Sequence, residues 1–372
     1  MRLASQGEGA FEWLVGTYFY REVNHLNSEI ALSFPTPFGL QKFVGTSATR
    51  LVDRSQAAFG QASYTLAPGF KITAGGRVSK DRQRISAQRG GFIPNLISPG
   101  SDRFSTVDTD VSLKAAVQYE PSDAATLYAT VSEGYKSAGI NAAALPPSLA
   151  AQQIFRPERS INYEAGYKGF LFGRRLSLDA AIFYIGYNDL QVFRSDPLTF
   201  TNYVSNAEKA RSYGAEIELR ARLTDRLDVS GSAAINRTAY RRFAECAVGT
   251  DCTGNRLANA PSMTANGRVS YAAPLGNALE LRIGTDISYV GRTYFEPTNA
   301  VESRRSGFAI WNLDVALSEI GKGWTLSAYA KNLTDRDYFT DTLEVPLATG
   351  GSAWRYLPAA PRTFGVRLRY GF

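Results

Sequence analysis

The sequence predicts an all-β fold, an antiparallel sheet closed into a transmembrane barrel. First, apolar and polar residues alternate along about fourteen runs of the chain. Second, most runs have about ten or more residues, whereas strands of soluble proteins average about five to six. Third, short turns and long segments alternate between the runs. Membrane-spanning strands need about 9–11 residues, and bacterial barrels have short turns at one end and long loops at the other.

The alternation is clear in single runs. In "NALELRIGTDISYV", Leu281 and Ile283 fall on one face, and Glu280 and Arg282 fall on the other. The predicted strands lie near residues 11–23, 53–66, 70–82, 108–120, 124–136, 159–172, 174–190, 211–223, 226–238, 262–274, 277–291, 307–319, 323–335 and 361–372. One apolar and one polar face per strand also fits a half-buried soluble sheet, which is the alternative interpretation.

The connections favour the barrel over that alternative. The short turns lie at residues 66–69, 120–123, 171–174, 223–226, 274–277 and 319–323. The long segments, which we expect to be loops at the opposite end, lie at residues 24–52, 83–107, 137–158, 191–210, 239–261, 292–306 and 336–360. A soluble sandwich or propeller has no reason to send every second connection into a long loop.

The last run, "TFGVRLRYGF", predicts the closing strand. Its alternate apolar residues are Phe364, Val366, Leu368, Tyr370 and Phe372. We expect these five to face lipid while Arg367 and Arg369 face the lumen, because a sheet in lipid must close to pair its backbone groups. A terminal aromatic of this kind resembles the signal that the barrel-assembly machinery reads. The same pattern also fits a soluble edge strand.

The distribution of charge and the length of the apolar runs exclude further classes of protein. The formal net charge is +7, but Lys and Arg are spread along the chain, so we expect no nucleic-acid partner. Lipopolysaccharide and an anionic ligand are the partners that a spread positive charge favours. No apolar run of about 18 residues is present, so no transmembrane helix is predicted, and the start "MRLASQGEGAFEW" has no visible signal peptide.

Several motifs resemble the TonB-dependent outer-membrane receptors. "NLTDRDYF" is similar to a late signature of that family, and the matching residues are Asn332, Leu333, Asp335, Tyr338 and Phe339. "SEGYKSAGIN" (Ser132 to Asn141) resembles another family segment, with Ala138 where Gly is more usual. "FRPERSINYEAGYKGFLFGRRLSLDAAIFYIGYNDLQV" resembles the strand pair that follows it, and "RLASQGEGAFEWLVGTYFY" resembles the middle of the family's barrel.

The resemblance implies a barrel of about 22 strands around an N-terminal plug. It also implies a signal peptide and a TonB box before the plug. We therefore expect residues 1–372 to be the C-terminal portion of the barrel domain of a Gram-negative bacterium, a fragment without plug or TonB box. Contact with the TonB complex would run only through the missing N-terminal region, and the chain would not transport alone.

The implied function is active uptake of a scarce nutrient across the outer membrane, with a ferric siderophore as the ligand. The alternative is a passive fourteen-stranded channel or a fatty-acid-transporter-like barrel. No enzyme is expected: His25 is the sole histidine, no nucleophile motif accompanies it, and no cofactor or metal-ligand cluster is expected.

Two sets of residues are site candidates. Cys246 and Cys252 lie in one long segment, and in an oxidising compartment we expect a disulfide between them. A metal site is the alternative, but it lacks a second pair of ligands. The ligand-loop candidates are Tyr240, Arg241, Arg242, Tyr294, Arg304, Arg305, Trp354 and Arg355. These residues would attract an anionic chelate, or they would form an interfacial aromatic girdle with basic residues on lipopolysaccharide phosphates.

Overall fold

The computed structural model describes residues 1–7, 9–93, 97–141, 145, 147–196, 201–247, 249–319, 323–346 and 352–371. Its strands are β1 (Arg2–Ala4), β2 (Phe11–Thr36), β3 (Gly39–Ala67), β4 (Phe70–Gly91), β5 (Gly100–Ser122), β6 (Ala125–Lys136), β7 (Gly139–Ile140), β8 (Ile154–Phe155), β9 (Glu158–Leu171), β10 (Leu176–Asp196), β11 (Thr201–Thr224), β12 (Leu227–Arg242), β13 (Met263–Leu275), β14 (Leu279–Val290), β15 (Thr293–Tyr294), β16 (Arg304–Arg305), β17 (Phe308–Glu319), β18 (Trp324–Lys331), β19 (Phe339–Pro346), β20 (Ser352–Pro358) and β21 (Thr363–Tyr370).

In the described residues, fifteen strands form one antiparallel sheet in the order β1-β2-β3-β4-β5-β6-β9-β10-β11-β12-β13-β14-β17-β18-β21. The order is linear, so β1 and β21 are its edges. Each of the fourteen predicted runs overlaps a strand of this sheet, which confirms the all-β prediction. The short pairs β7-β8, β15-β16 and β19-β20 lie in the connections between the long strands.

An apolar row crosses one face of the sheet from β21 to β14. Leu368 lies opposite Leu326, Leu326 opposite Leu317, and Leu317 opposite Leu281. Directly opposite residues of antiparallel strands share a face, so this row extends from strand to strand as an outer face. On β21, Val366 is 74% exposed. Phe372 lies outside the described residues. A contiguous apolar surface of this kind is covered in the functional state by an apolar partner or by lipid.

The segments 24–52, 83–107 and 191–210 differ from the prediction of long loops. Strands β2 and β3 pair without a register shift from Phe11 opposite Tyr64 to Thr36 opposite Gly39. Likewise, β4 extends to Gly91 and β10 to Asp196. His25, expected at the border of a loop, lies inside β2 opposite Arg50. Above the apolar band the outer face becomes polar, so the alternation that marks a strand disappears while the backbone pairing continues.

A 3₁₀ helix, η1 (Pro147–Gln152), is the helical element among the described residues. No helix in that part of the chain has the length and apolar character needed to cross a membrane. The five short turns of the prediction that lie within the described residues connect long strands of the sheet; part of the sixth, at 319–323, lies outside them. At the turn between β9 and β10, Phe172, Gly173 and Arg174 have positive φ angles of 52°, 64° and 67°, which gives this two-stranded hairpin its tight reversal.

Candidate ligand-binding region

Three connections at the end of the sheet opposite the short turns pack on one another. We call the described residues of segments 243–262, 291–307 and 332–362 the loop platform. Asn255 donates from Nδ2 to the carbonyls of Pro297 (3.1 Å) and Thr298 (3.0 Å). The Arg256 N–H donates to Asn299 Oδ1 at 2.9 Å, and Asn299 Nδ2 donates back to the Arg256 carbonyl at 3.0 Å. These bonds hold the first two segments together.

Arg305 joins the second segment to the third. Its Nη1 donates to the Phe339 carbonyl at 2.8 Å, and its guanidinium lies 5.2 Å from the ring centre of Phe295 and 4.8 Å from that of Phe308. Burial lowers the pKa of Arg305. This ligand-loop candidate is therefore engaged inside the platform, where it makes cation–π contacts, and its guanidinium is not free for an anion.

The "NLTDRDYF" signature closes the platform. The Arg336 N–H donates to Asn332 Oδ1 at 2.8 Å, and Asn332 Nδ2 donates to the Arg336 carbonyl at 3.0 Å. Asn332 and Asp335 have φ angles of 50° and 53°, a region that Asn and Asp tolerate better than most residues. Tyr338 stacks on Phe308 with ring centres 4.3 Å apart. In this structure the signature residues shape the exit from β18.

Leu333 and Phe339 complete the same arrangement. The Leu333 N–H donates to the Trp311 carbonyl at 2.7 Å. Phe339 packs against Phe295 and Tyr356, with ring centres 5.8 and 4.9 Å away. The signature thus contributes packing and turn geometry to the platform.

Tyr240, a second ligand-loop candidate, is only 1% exposed. It belongs to a buried cluster whose other members are Val192, Ala207, Ala210, Phe243, Cys246 and Cys252. Its ring lies 5.1 Å from that of Phe243. Cys246 and Cys252 form a disulfide in the structure, with their Cα atoms 5.8 Å apart. Tyr240 therefore packs beneath the disulfide loop.

The other ligand-loop candidates separate into engaged and available side chains. Arg242 pairs with Glu208, Nε to Oε2 at 2.7 Å. Tyr294 lies opposite Arg304 across β15 and β16. On β20, Trp354 lies opposite Glu344 and Arg355 opposite Leu343. The available side chains, exposed and without an ion pair within the described residues, are Arg241, Arg304 and Arg355.

Asn141, the last residue of the "SEGYKSAGIN" motif, has a role that sequence reasoning did not assign. It is 6% exposed, and its Nδ2 donates to the carbonyls of Gln152 (2.7 Å) and Val204 (3.0 Å). The Val204 N–H donates to Asn141 Oδ1 at 2.7 Å. This amide fastens the 137–158 connection to β11. The motif was the available signal, although it does not reveal the partner.

Glu296 is a further group that the sequence did not mark. Burial, reinforced by the nearby carboxylates Glu344 and Asp341, raises its pKa to about 7, although Arg194 acts in the opposite direction. No motif surrounds it, so no sequence signal was available. Within the described residues, no three His, Cys, Asp or Glu side chains form a cluster that could hold a metal ion.

Residues 3–333 match the family described as TonB dependent receptor-like, beta-barrel. The chain belongs to this family. It is 28% identical over 381 residues to the pesticin receptor of Yersinia pestis, an alignment covering 100% of this chain and 51% of that receptor. It is 30% identical over 201 residues to the ferrioxamine receptor of Yersinia enterocolitica, covering 52% of this chain and 26% of that receptor.

Solved structures show the same fold. The ferric yersiniabactin uptake receptor FyuA from Yersinia pestis superposes with a TM-score of 0.79 at 23% identity, covering 100% of this chain and 53% of that one. The ferric-catecholate import receptor Fiu of Escherichia coli K12, in its closed form, gives a TM-score of 0.67 at 15% identity, covering 97% and 55%. The chain spans about half the length of the curated relatives it matches.

Proposed function

We propose that the chain forms part of the wall of an outer-membrane receptor for active uptake of a ferric siderophore. The observation that carries this proposal is the family match together with relatives named as pesticin and ferrioxamine receptors. The apolar row across the sheet fits lipid on the outside of the wall. The wall performs no covalent chemistry. Transport would be driven through contact of the receptor with the TonB complex, and we propose that this contact lies outside the barrel wall.

The loop platform, together with Arg241 at the end of β12 just before it, supplies the positive charge for an anionic chelate. Arg241, Arg304 and Arg355 are exposed, and no carboxylate in the described residues neutralises them. Bonds from a guanidinium to a carboxylate or phenolate are charge-assisted and stronger than neutral hydrogen bonds. Tyr294 and Trp354 lie on the same short strand pairs and offer aromatic surface beside the arginines. Engagement of Arg305 and Arg242 elsewhere leaves these three as the side chains that would meet the ligand.

Assembly partners follow from the outer face. Phe364, Val366, Leu368 and Tyr370 line one side of the edge strand β21, with exposed fractions from 64% to 74%. We propose that these side chains face lipid in the mature wall. We also propose that, with Phe372, they form the segment that the barrel-assembly machinery recognises.

The experiment is a binding titration on the chain refolded in an uncharged detergent, with ferric yersiniabactin as the probe. The triple variant Arg241→Gln, Arg304→Gln, Arg355→Gln should bind at least about tenfold more weakly, because three charge-assisted contacts are lost. A control variant removes the same charge at the opposite end of the sheet: Arg174→Gln, Arg175→Gln, Arg226→Gln. Equal affinity in the parent and the loop variant would contradict the ligand site. Steady conductance in a planar bilayer without chelate binding would favour a passive channel.

A further inference from the structure

A group of arginines lies on the outer face of the sheet, away from the loop platform. Its members are Arg21 on β2, Arg50 and Arg54 on β3, Arg82 and Arg84 on β4, and Arg103 on β5. They line a groove of about 660 Å³ together with Val52, Ile85, Ser86, Phe104 and Ser105. We call these six residues the arginine patch.

Strand register shows which face carries the patch. Arg82 and Arg84 follow Phe70, Ile72 and Val78 at even positions of β4, and these side chains are more exposed than the odd-numbered ones. Successive side chains of a strand point to opposite faces, and β4 pairs with β3 and β5 without a register shift in this stretch. The patch therefore continues the apolar face outward along the same strands.

Distance along β4 places the patch at the membrane surface. The positions from Phe70 to Val78 rise about 19–22 Å along the barrel axis for a tilted strand. That height is close to the apolar band of about 25 Å that lipid covers. Lys80, Arg82 and Arg84 come directly after it, at the level where lipid headgroups carry their charge. This step rests on the proposed function, which puts the barrel in a membrane.

The arginines lie side by side without neutralisation. Arg21 lies directly opposite Arg54, and Arg54 directly opposite Arg82. Like charges in directly opposite positions destabilise a sheet. None of the six guanidiniums forms an ion pair with a carboxylate in the part of the chain that the structure describes. An arrangement that costs stability in the isolated chain indicates a bound anion.

The two faces of these strands differ in the sign of their charge. The outward positions from Phe19 to Asn27, Ala48 to Gln56, Lys80 to Gln88 and Ser101 to Thr109 carry no Asp or Glu. Within these four stretches the carboxylates point the other way, and the outward Glu29 lies further along β2, beyond the patch. Asp53 accepts a hydrogen bond from Gln83 Nε2 at 2.8 Å, and Asp108 accepts one from the Tyr135 hydroxyl at 2.9 Å. An anion that approaches the arginine patch itself therefore meets only positive and neutral groups.

We propose that the arginine patch binds the phosphate groups of a phosphorylated glycolipid headgroup in the leaflet around the barrel. Four strands at about 4.8 Å spacing and three rows about 6.7 Å apart give a patch of about 14 by 13 Å. This area accommodates more than one phosphate at once. Arginine binds phosphate with two parallel N–H donors, and the valines between the arginines, Val23 and Val52, provide apolar contact for the sugar and acyl parts.

Binding is tested on the full chain in uncharged detergent, with bisphosphorylated lipid A, its dephosphorylated form and inorganic phosphate as probes. The variant Arg21→Gln, Arg54→Gln, Arg82→Gln should bind lipid A roughly 100-fold more weakly, because each basic side chain at an anionic lipid surface contributes about fivefold in affinity. The control variant Arg174→Gln, Arg175→Gln, Arg226→Gln removes equal charge at the turns and should bind as the parent does. Equal losses in both variants, or equal binding of the dephosphorylated lipid, would overturn the proposal.

The single variant Arg54→Gln provides a second measurement if the triple variant does not fold. Without lipid it should melt at the same temperature as the parent or higher, because it removes repulsion from both neighbours. With lipid A it should melt at a lower temperature than the parent, because it loses phosphate contacts. If lipid A does not reverse the order of the melting temperatures of parent and variant, the site is contradicted. It is also contradicted if inorganic phosphate displaces lipid A at equal concentration. Ferric chelate binding is measured separately, so failure here is distinguishable from failure of the receptor function.

Discussion

Asn141 and Val204 form a reciprocal pair: the Val204 N–H donates to Asn141 Oδ1 at 2.7 Å, and Asn141 Nδ2 donates to the Val204 carbonyl at 3.0 Å. The two residues are 63 positions apart in sequence. Their pairing fixes the connection between β6 and β9 against β11. This long connection is thereby held in one place.

Replacing Asn141 with Ala should release this connection. The change leaves the half-buried Val204 N–H and carbonyl without a side-chain partner, at a cost of about 2 kcal/mol. Chymotrypsin should then cleave after Phe155 faster than in the parent. Asn27→Ala, an exposed position on β2, is the matched control. Unchanged protection of Phe155 in Asn141→Ala would show that the pair does not hold the connection.

Two substitutions of Asn332 separate the contributions of backbone strain and side-chain hydrogen bonds to stability at the exit from β18. With φ at 50°, Ala at this position carries backbone strain that Gly does not. Both substitutions lose the two bonds to Arg336. We expect Asn332→Ala to lower the free energy of unfolding by about 1 kcal/mol more than Asn332→Gly, measured by guanidinium titration in detergent. Equal values for the two variants would argue against strain at this residue.

The disulfide should stabilise the segment above Tyr240. Closing a loop of about six residues reduces the entropy of the unfolded chain and contributes about 2 kcal/mol. Reductant should therefore lower the melting temperature of the parent and leave the variant Cys246→Ser, Cys252→Ser unaffected. A parent chain that melts identically with and without reductant would disagree with this prediction.

Glu296 should make stability depend on pH. Its pKa of about 7 in the folded chain exceeds the ordinary value of 4.5, so the folded state holds its proton more tightly. Its contribution is fully present below about pH 4.5 and is lost as pH rises to about 7. Glu296→Gln should be more stable than the parent by about 3 kcal/mol at pH 8 and equal to it at pH 4. Melting curves at both pH values test this, and a gain at pH 4 that equals the gain at pH 8 contradicts it.

The edges of the sheet predict that this 372-residue chain does not transport alone. In the described residues, no pairing joins β21 to β1 or β2, and unpaired backbone edges are costly in lipid. Cells that express the chain behind a signal peptide should show no energy-dependent uptake of ferric yersiniabactin, whereas FyuA in the same host serves as the positive control. Robust uptake by the chain alone would refute this expectation.

The strands could be predicted from the sequence because the alternation that indicates a strand depends only on residues within that strand. Lipid outside and water inside impose alternation at every second residue, as in the run from Leu279 to Tyr289. Where the strands leave the apolar band, both faces are polar and the alternation vanishes. For this reason the upper halves of β2 and β3 were predicted as a loop, although their backbones pair continuously up to Thr36 and Gly39.

The sequence could identify the candidate ligand residues only by residue type, and it could not predict which side chains are available. Composition and position marked Arg241, Arg304, Arg305 and Arg355 alike. Whether each guanidinium is available depends on neighbours from distant segments, such as the Phe339 carbonyl that accepts from Arg305 at 2.8 Å. The sequence also grouped the signature residue Asn332 with its family without revealing its turn geometry.

The sequence by itself determined the class of fold, the number of long strands and the alternation of their two faces, because each depends on residues within one strand. The tertiary structure alone decided that Arg21, Arg54 and Arg82 stand in one row, since that row depends on the register between three strands. It likewise decided which loop arginines are engaged. Charge placement across a sheet is a property of pairing between distant segments, and no single segment carries it.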